Sequence, residues 1–493
     1  MAQNGTKLIF VFVFLLAGLL VAAQVQAAQT PASTAPASAG AQASSDQSDW
    51  FHNPEPWFEQ GADFRFREHY GYNWKKLNND VKYKGDFDNT FHFERYRTRW
   101  WTKTKLDDNS AINTRVTWEF RTWDKPPDQS QSTDFDEIII DNLNYSAKNF
   151  LDLPVTAVLG RQDITNLGQG WLVFDGTPLD GSRTFYFDAL RFTWDLGEKT
   201  KLDTIYIHNM PDSDWWLKPI NDRDKYVTQE QENGAILYLT DKSTPTQLEG
   251  YFMYKNNNPV KPIVGKAFNF PQAAVNAYSK KADIFTFGGA VSGSITDNWG
   301  YRVEGAVQTG RSASPNSAVT ANTQEAELLA FGEKSTLEYS FKDDLDNKLH
   351  VTYEYLSGDD PDTKHVTAFN PLWGQWPQWT EMYQPYTTQM EDNLVSNMHR
   401  LDFGHKFKPN TQWEILTDWN LLWAAENTYK SAPAKFTEDG KFRGHLFTCW
   451  ARYNFSKQLS GNLVGEYFMP GNYYAKANND DALYFHFTIS YTF

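Results

Sequence analysis

The chain has 493 residues and a formal net charge of −15 at pH 7; it contains one cysteine, and 16% of its residues are aromatic. The acidic balance argues against a nucleic-acid partner, and a single cysteine excludes an intramolecular disulfide framework. Beyond residue 27 no run of 18 apolar residues occurs, which excludes a bundle of membrane-spanning helices.

The N-terminal residues have the pattern of a secretory signal peptide. Lys7 precedes an apolar run from Leu8 to Ala23, and the small residues that a signal peptidase requires end at Ala27. We predict a signal peptide at residues 1–27; a retained membrane helix is the alternative. Residues 28–52, rich in Ala, Ser, Thr, Pro and Gln, are predicted to form a flexible periplasmic lead, so the folded domain spans residues 53–493.

From residue 57 onward the dominant pattern is an alternation of apolar and polar residues with a period of two, which is typical of β-strands with two different faces. Short turns such as 107–110 follow every second strand, whereas long polar connections such as 359–393 lie between. The pattern predicts about eighteen strands, at 57–70, 89–106, 110–124, 134–147, 154–163, 184–195, 199–210, 233–241, 245–256, 283–295, 298–311, 324–342, 347–358, 394–407, 410–425, 444–456, 459–468 and 482–493.

An even number of strands, with short turns at one end and long loops at the other, is the pattern of an outer-membrane barrel. A closed antiparallel sheet pairs every backbone N–H and C=O, which a bilayer demands. We therefore predict an all-β fold, a monomeric transmembrane antiparallel β-barrel with short periplasmic turns, long extracellular loops and both termini in the periplasm. The edge strand of a large soluble sandwich is the alternative interpretation of the last strand.

That last strand, ALYFHFTISYTF, separates its residues into two sets. Leu483, Phe485, Phe487, Ile489, Tyr491 and Phe493 form an apolar set, predicted to face outer-membrane lipid, and the alternate residues face the lumen. A strand that ends in alternating aromatic residues and a final Phe493 resembles the signal read by the bacterial barrel-assembly machinery.

The same alternation assigns charged residues to the lumen. The predicted pore-lining basic residues are Arg65, Arg67, Arg95, Arg97, Arg99, Lys103, Arg115, Arg121, Arg161, Arg191, Arg302, Arg400 and Arg452. The predicted pore-lining acidic residues are Asp63, Glu119, Glu249, Glu304, Glu354, Asp402, Glu414, Asp418 and Glu466. Strands 134–147, 154–163, 199–210 and 324–342 show no clean alternation and are not assigned firmly.

An arginine-rich wall favours anions. Arginine keeps its charge and pairs bidentately with carboxylates, and a series of weak sites permits conduction. A polymer of carboxylated sugars suits such a wall best. The alternative is that arginines and acids on neighbouring strands form ion pairs that stiffen the barrel.

The longest loop carries Trp373, Trp376 and Trp379 at a spacing of three, which predicts a segment that narrows or gates the pore. The alternative is that these side chains form a small core within the loop. Acidic segments such as 358–362 lack the ligand spacing of a calcium loop, so we predict neither a metal site nor a cofactor.

Residues 159–195 carry a family resemblance. Gly160, Arg161 and Gln162 match the end of a strand in the alginate-export family of bacterial outer-membrane porins, and Arg183, Phe187, Asp188 and Arg191 are similar to the motif that opens that family's next strand. The resemblance implies an 18-stranded porin that passes an anionic polysaccharide or oligosaccharide, such as alginate, through an electropositive pore.

Two other functions remain open. One is a substrate-specific or general diffusion porin for small anionic solutes, and the other is an outer-membrane hydrolase. His208, His350 and His486 are scattered and no serine elbow accompanies them, so we predict that the protein is not an enzyme. Periplasmic partner proteins are a further expectation.

Overall fold

The computed structural model describes residues 51–73, 77–80, 90–125, 134–164, 167–168, 171–173, 186–210, 216–221, 231–258, 281–313, 325–374, 379–382, 396–430 and 432–493. The predicted signal peptide and residues 28–50 of the predicted lead lie outside them. None of the helices in the described part of the chain has the length and hydrophobicity needed to cross a membrane.

The described residues form eighteen β-strands, as predicted. They are β1 Phe58–Tyr72, β2 Thr90–Lys105, β3 Ser110–Lys125, β4 Asp134–Ala147, β5 Val155–Gln162, β6 Phe187–Asp195, β7 Thr200–Asn209, β8 Gln231–Asp241, β9 Gln247–Asn258, β10 Ala282–Ser294, β11 Trp299–Ser312, β12 Ala326–Ser340, β13 Lys348–Leu356, β14 Met398–Phe407, β15 Trp413–Trp423, β16 Phe442–Asn454, β17 Leu459–Pro470 and β18 Ala482–Thr492. Helix is limited in these residues to two short 3-10 segments, α1 Phe150–Asp152 and α2 Lys476–Asn478.

The sheet closes into a barrel. Each strand pairs antiparallel with the next along the chain, and β1 also pairs with β18. Arg67 in β1, for example, lies opposite Thr488 in β18 and Arg95 in β2. The closed ring leaves none of the described strands as an edge, which confirms the predicted antiparallel β-barrel.

The connections differ in length at the two ends of the barrel. Those that follow even-numbered strands occupy 106–109, 148–154, 196–199, 242–246, 295–298, 341–347, 408–412 and 455–458. Those that follow odd-numbered strands include 163–186, 210–230 and 357–397. All the long connections therefore start from one end of the barrel.

Apolar side chains alternate outward along the strands. Trp100, Trp118, Phe287 and Phe331 are about half exposed, and most of the exposed large apolar residues lie at such outward positions. A soluble protein rarely exposes so continuous an apolar surface. This outer surface accounts for much of the aromatic content.

Strand β4 shows why the alternation fails locally. Its pairing with β3 shifts register between Arg115 and Val116, which lie opposite Asn142 and Ile140. The intervening Asp141 is an extra residue, a β-bulge, and such a bulge exchanges the two faces of the strand beyond it. Asp141 is fully buried.

Two long connections fold into the lumen and create an apolar core there. Trp171 stacks on Phe369 with ring centroids 5.5 Å apart, and Val173 pairs with Trp373 in a parallel bridge. These residues belong to one buried cluster with inward residues of the wall such as Ile207. Strands β7 and β12 are therefore apolar on both faces, which explains their lack of alternation.

Candidate functional site in the barrel lumen

Four arginines lie together on the inner wall formed by β1 and β2. Arg65 is directly opposite Arg97, and Arg67 is directly opposite Arg95. We call these four residues the basic cluster. All four are buried, with exposures of 2%, 0%, 2% and 6% for Arg65, Arg67, Arg95 and Arg97.

Three members of the basic cluster have acidic neighbours. Arg95 forms an ion pair with Glu119, whose oxygen accepts a hydrogen bond of 2.5 Å from Arg95 Nε. Asp63 lies 3.8 Å from Arg97 and accepts shorter bonds from Arg99 Nε, at 2.8 and 3.0 Å.

Arg67 donates to Thr488 at 2.9 Å and lies 3.7 Å from the Glu381 carboxylate. Arg65 differs from the other three members of the basic cluster. All three of its guanidinium nitrogens are buried and have no hydrogen-bond partner among the described residues.

Other predicted basic residues of the early strands have their own carboxylates. Arg115 donates to Asp141 at 2.9 Å and to both oxygens of Asp163 at 2.7 and 2.9 Å. Arg191 donates to Asp203 at 2.8 Å. Their charge is therefore balanced locally.

Lys103 and Arg121 complete the early strands. The Lys103 ammonium is 3.7 Å from Glu59. Arg121 lies over the rings of Phe93 and Trp123, at 5.9 and 5.4 Å from the ring centroids. Cation–π contacts of this kind keep a guanidinium next to apolar surface.

Arg161 pairs with an acidic residue of the next strand. It lies opposite Asp188 in β6 and donates to both carboxylate oxygens, at 2.9 and 3.1 Å. Asp188 lies two residues before the outward-facing Leu190, which is 43% exposed, so Asp188 shares its face with Leu190 and not with the inward Arg191. The pairing places Arg161 and Asp188 on the face of Leu190, and pore lining by Arg161 stays a prediction.

The later strands carry the remaining predicted residues in two networks. Arg302 donates to Glu249 at 2.6 and 2.8 Å and to Glu304 at 2.8 Å. Arg400 donates to Glu354 at 3.1 Å and lies 3.5 Å from Asp402.

Arg452, Glu414 and Asp418 lie farther along the same wall. Arg452 is 45% exposed at its side chain and lies 3.4 Å from Glu414, which also binds Lys406 at 2.8 Å. Asp418 accepts a bond of 3.3 Å from Thr448 and lies beside His350. The acid-richer part of this wall is β13 to β15, which carries Glu354, Asp402, Glu414 and Asp418 against Lys348, Arg400 and Lys406.

Glu466 anchors the longest connection. Its carboxylate accepts hydrogen bonds from Thr380 Oγ1 at 2.7 Å, from Glu381 N at 2.7 Å and from Met382 N at 2.8 Å. The binding of a loop backbone by an inward glutamate has no sequence signal that we recognise.

The predicted tryptophan segment contacts two parts of the wall. Trp373 packs on Gly234 in β8, and Lys255 in β9 donates to Leu372 O at 2.8 Å. Trp379 instead lies beneath Arg400 of β14, 4.8 Å from ring centroid to guanidinium carbon. Trp376 lies outside the described residues.

Sequence reasoning missed several acids that balance the arginines. The bulge changes the face of Asp141, and Asp163 and Glu381 lie in connections. Asp203 shares its face of β7 with two buried isoleucines, so that face does not have a polar pattern. The acids that balance Arg95, Arg99, Arg302 and Arg400 had been predicted, namely Glu119, Asp63, Glu249 and Glu354.

A closed barrel with an apolar outer face and a charged lumen defines the class of outer-membrane channels. The chain belongs to the Alginate export family, whose sequence profile matches residues 56–486. The family and the eighteen-stranded barrel locate the protein in the bacterial outer membrane and confirm the predicted resemblance.

Solved structures support the fold. The barrel is similar to Acinetobacter baumannii OccAB2, with a TM-score of 0.52, 10% identity and coverage of 88% of this chain and 98% of that chain. It is also similar to OccAB3 from the same organism, with a TM-score of 0.51, 11% identity and coverage of 88% and 99%. No curated protein sequence matches the chain significantly.

Proposed function

We propose that the barrel conducts an anionic polysaccharide or oligosaccharide built from carboxylated sugars, and that the basic cluster binds its carboxylates during passage. The observation that carries this proposal is the buried Arg65, which faces Arg97 and lacks a hydrogen-bond partner among the described residues. Membership of the Alginate export family supports an anionic saccharide as the solute.

A buried charge is costly unless neighbouring groups compensate it. A guanidinium removed from water loses several kcal/mol of solvation unless an anion and hydrogen-bond acceptors compensate. Two such groups in direct opposition, Arg65 and Arg97, add mutual repulsion. A carboxylate placed between them would accept bidentate hydrogen bonds and relieve both costs.

Glu381 places a carboxylate of the chain itself beside the basic cluster. The connection that carries Glu381 is bound to β17 through Glu466. The Glu381 carboxylate lies 3.7 Å from Arg67. A carboxylate of the chain thus stands beside the basic cluster, where a sugar carboxylate would bind. Displacement of Glu381 by the solute couples binding to opening of the lumen.

The remaining components follow from this function. The outer aromatic surface contacts lipid, and the short connections lie in the periplasm. Phe493 is read by the barrel-assembly machinery, periplasmic proteins deliver or receive the saccharide, and the barrel acts as a monomer. The family and the fold point to a channel rather than an enzyme.

A diffusion porin for small anionic solutes is the second candidate. The ion pairs of Arg115, Arg191 and Arg302 favour it, because paired charges weaken the attraction of the lumen for a polyanion. The two functions differ in whether the channel distinguishes a charged oligosaccharide from a neutral one.

The experiment is block of ion current through the purified barrel in planar bilayers. Oligouronates should block the current, and neutral glucose oligomers of equal length should not. The double variant Arg65→Gln/Arg97→Gln should weaken the block at least about 10-fold, because each charged hydrogen bond contributes roughly 1.5–3 kcal/mol.

Arg452→Gln is the matched control, since Arg452 is an inward arginine of β16, three strands from β1 around the ring, and is 45% exposed at its side chain. It should leave the block unchanged. Equal block by neutral and charged oligomers would favour the diffusion porin. Unaltered block in the double variant would reject the basic cluster as the binding site.

A further inference from the structure

Three potential metal ligands meet on the acid-richer wall, well away from the basic cluster in the strand order. Gly404 in β14 lies directly opposite His350 in β13 and Asp418 in β15. Because glycine has no side chain, the two flanking side chains approach each other across it. A Cβ at Gly404 would collide with the His350 ring and the Asp418 carboxylate.

Asp402 completes the group from the same face of β14, two residues before Gly404. His350 Nε2 lies 3.1 Å from Asp402 Oδ2 and 3.3 Å from Asp418 Oδ1. The three ligand atoms all lie within 4.8 Å of one another. Side-chain exposures are 4% for Asp402, 8% for Asp418 and 18% for His350.

Each carboxylate has one oxygen with a hydrogen-bond partner, since Asp402 Oδ2 bonds His350 Nε2 and Asp418 Oδ2 accepts from Thr448. Asp418 Oδ1, the oxygen that faces His350, is buried and has no hydrogen-bond partner in the described residues, and the same holds for Asp402 Oδ1. A buried carboxylate oxygen without a donor is costly. A cation between the three ligand atoms would remove that cost at Asp418 Oδ1, which is one of the three.

We propose that His350 Nε2, Asp402 Oδ2 and Asp418 Oδ1 bind one divalent transition-metal ion of the zinc class. Zinc takes nitrogen and oxygen ligands at about 2.0–2.2 Å, so two ligands of a tetrahedral site are roughly 3.3 Å apart. The distances from His350 Nε2 fit that separation. An imidazole ligand disfavours calcium and magnesium, which prefer sites made only of oxygen.

The surrounding charges are compatible with a cation. Arg400 lies 3.5 Å from Asp402, but it also pairs with Glu354 at 3.1 Å and donates to Asn420 at 2.9 Å. Thr448 donates to the other oxygen of Asp418 and orients that carboxylate. Such outer contacts commonly set the direction of a ligand.

The ion would have two effects on the channel. It would link β13, β14 and β15 through their side chains, and it would add two positive charges to a wall that is otherwise acid-richer. Bound metal would therefore raise the preference of the lumen for anions, whichever solute passes. The inference does not depend on the saccharide proposed above.

The test is calorimetric titration of ZnCl2 into the metal-stripped barrel, purified without a histidine tag, near neutral pH. One ion should bind per barrel. His350→Gln and Asp418→Asn should each weaken binding at least about 10-fold, the range in which even outer contacts act. His405→Gln is the control, since His405 lies on the opposite face of β14 and bonds Asn347, and it should bind as the wild type does.

A second measurement needs no substitution. Cobalt(II) added to the wild-type barrel should give the visible bands of a four-coordinate ion, and zinc should remove them. Absence of one-to-one zinc binding to the wild type, or retention of that binding in folded His350→Gln, would overturn the proposal. The three groups would then be an ion pair between a protonated imidazole and two carboxylates.

Discussion

A guanidinium shielded from water needs an acceptor, and Arg65 has none among the described residues. The neighbouring arginines show the usual solution, since Arg95 binds Glu119 and Arg99 binds Asp63. Arg67 has a different kind of neighbour, because Glu381 comes from a long connection and not from the wall. Two residues therefore distinguish this site: Arg65, whose guanidinium has no acceptor among the described residues, and Glu381, whose carboxylate comes from a connection.

Substitution of Glu381 tests that carboxylate. In Glu381→Gln the backbone N–H that binds Glu466 remains, but the charge beside Arg67 is removed. Oligouronates should then bind more tightly, by roughly 3- to 10-fold in blocking concentration, because they no longer compete with Glu381.

Asp362→Asn is the control for Glu381→Gln, as Asp362 lies on the same connection and pairs with the exposed Lys430. Weaker block in Glu381→Gln, or the same gain in both variants, would contradict the competition between Glu381 and the solute.

Gly160, the glycine of the family motif, has a backbone conformation that favours glycine. Its φ of +123° is strained for any residue with a side chain, and an added Cβ would lie 2.5 Å from the carbonyl oxygen of Leu143. Gly160→Ala should lower the free energy of unfolding by about 1–3 kcal/mol, measured by urea denaturation in detergent.

Gly197, in a turn with open space around its Cα, is the control for that substitution. Gly197→Ala should change stability much less. Equal stability of the two variants would show that the backbone at Gly160 tolerates a side chain.

Sequence reasoning reached the arginines and those partners that lie in regular strands, such as Glu119 and Asp63, but not the partners in connections or at the bulge. Arg65 and Arg97 were predicted because a period of two assigns a face from the residues on each side. Asp163 and Glu381 lie in connections, where no period exists, and the bulge at Asp141 reverses the assignment halfway along β4. The balance of charge in the lumen therefore required coordinates.

At the scale of elements, the connection between β13 and β14 is the central feature. Its residues 371–374 contact β8 and β9, and its residues 380–382 bind β17. In a ring of eighteen strands, β8 and β17 lie on opposite sides. These two segments of the connection thus contact opposite walls of the lumen.

Release of the connection from β17 should open the channel. Glu466→Gln replaces one acceptor oxygen with an amide donor, and each lost charged hydrogen bond contributes roughly 1.5–3 kcal/mol to docking. The fraction of time in the high-conductance state should rise about 10-fold or more, as recorded from single channels.

Glu414→Gln provides the comparison for Glu466→Gln, since it removes the same charge from β15, where Glu414 pairs with Lys406 and Arg452. It should not alter opening. Unchanged gating in Glu466→Gln would show that the docking of 380–382 does not limit conduction.

The last strand shows a division between assembly and stability. The Phe493 backbone N–H donates to Ala62 O at 2.8 Å, but the side chain is 50% exposed. Phe493→Ala should therefore reduce the yield of assembled barrel in the outer membrane while leaving the conductance of the assembled fraction unchanged. Normal yield, measured by heat-dependent migration of the barrel in gels, would contradict a role of Phe493 in assembly.

Strands were predictable wherever the two faces have different surroundings. β18 alternates between Phe485 or Phe487 outside and His486 or Thr488 inside, and its prediction needed nothing more. In β7 both Tyr206 outside and Ile205 inside are apolar, because inward connections fill the lumen there. Alternation disappears for that reason, although the strand itself remains.

The whole molecule separates its charges by position. The net charge of −15 describes the chain, but the basic cluster concentrates positive charge on the wall of β1 and β2, whereas β13 to β15 carry four acidic and three basic residues. A polyanion would experience the local field of the cluster and not the sum. The negative net charge of the protein is therefore compatible with the passage of anions through its lumen.

The most direct test is the reversal potential of the purified barrel in a bilayer that separates two KCl concentrations. We predict an anion-selective potential for the wild type, a shift toward cation selectivity in Arg65→Gln/Arg97→Gln, and no shift in Arg452→Gln. A cation-selective wild type, or a double variant with the wild-type potential, would contradict this prediction.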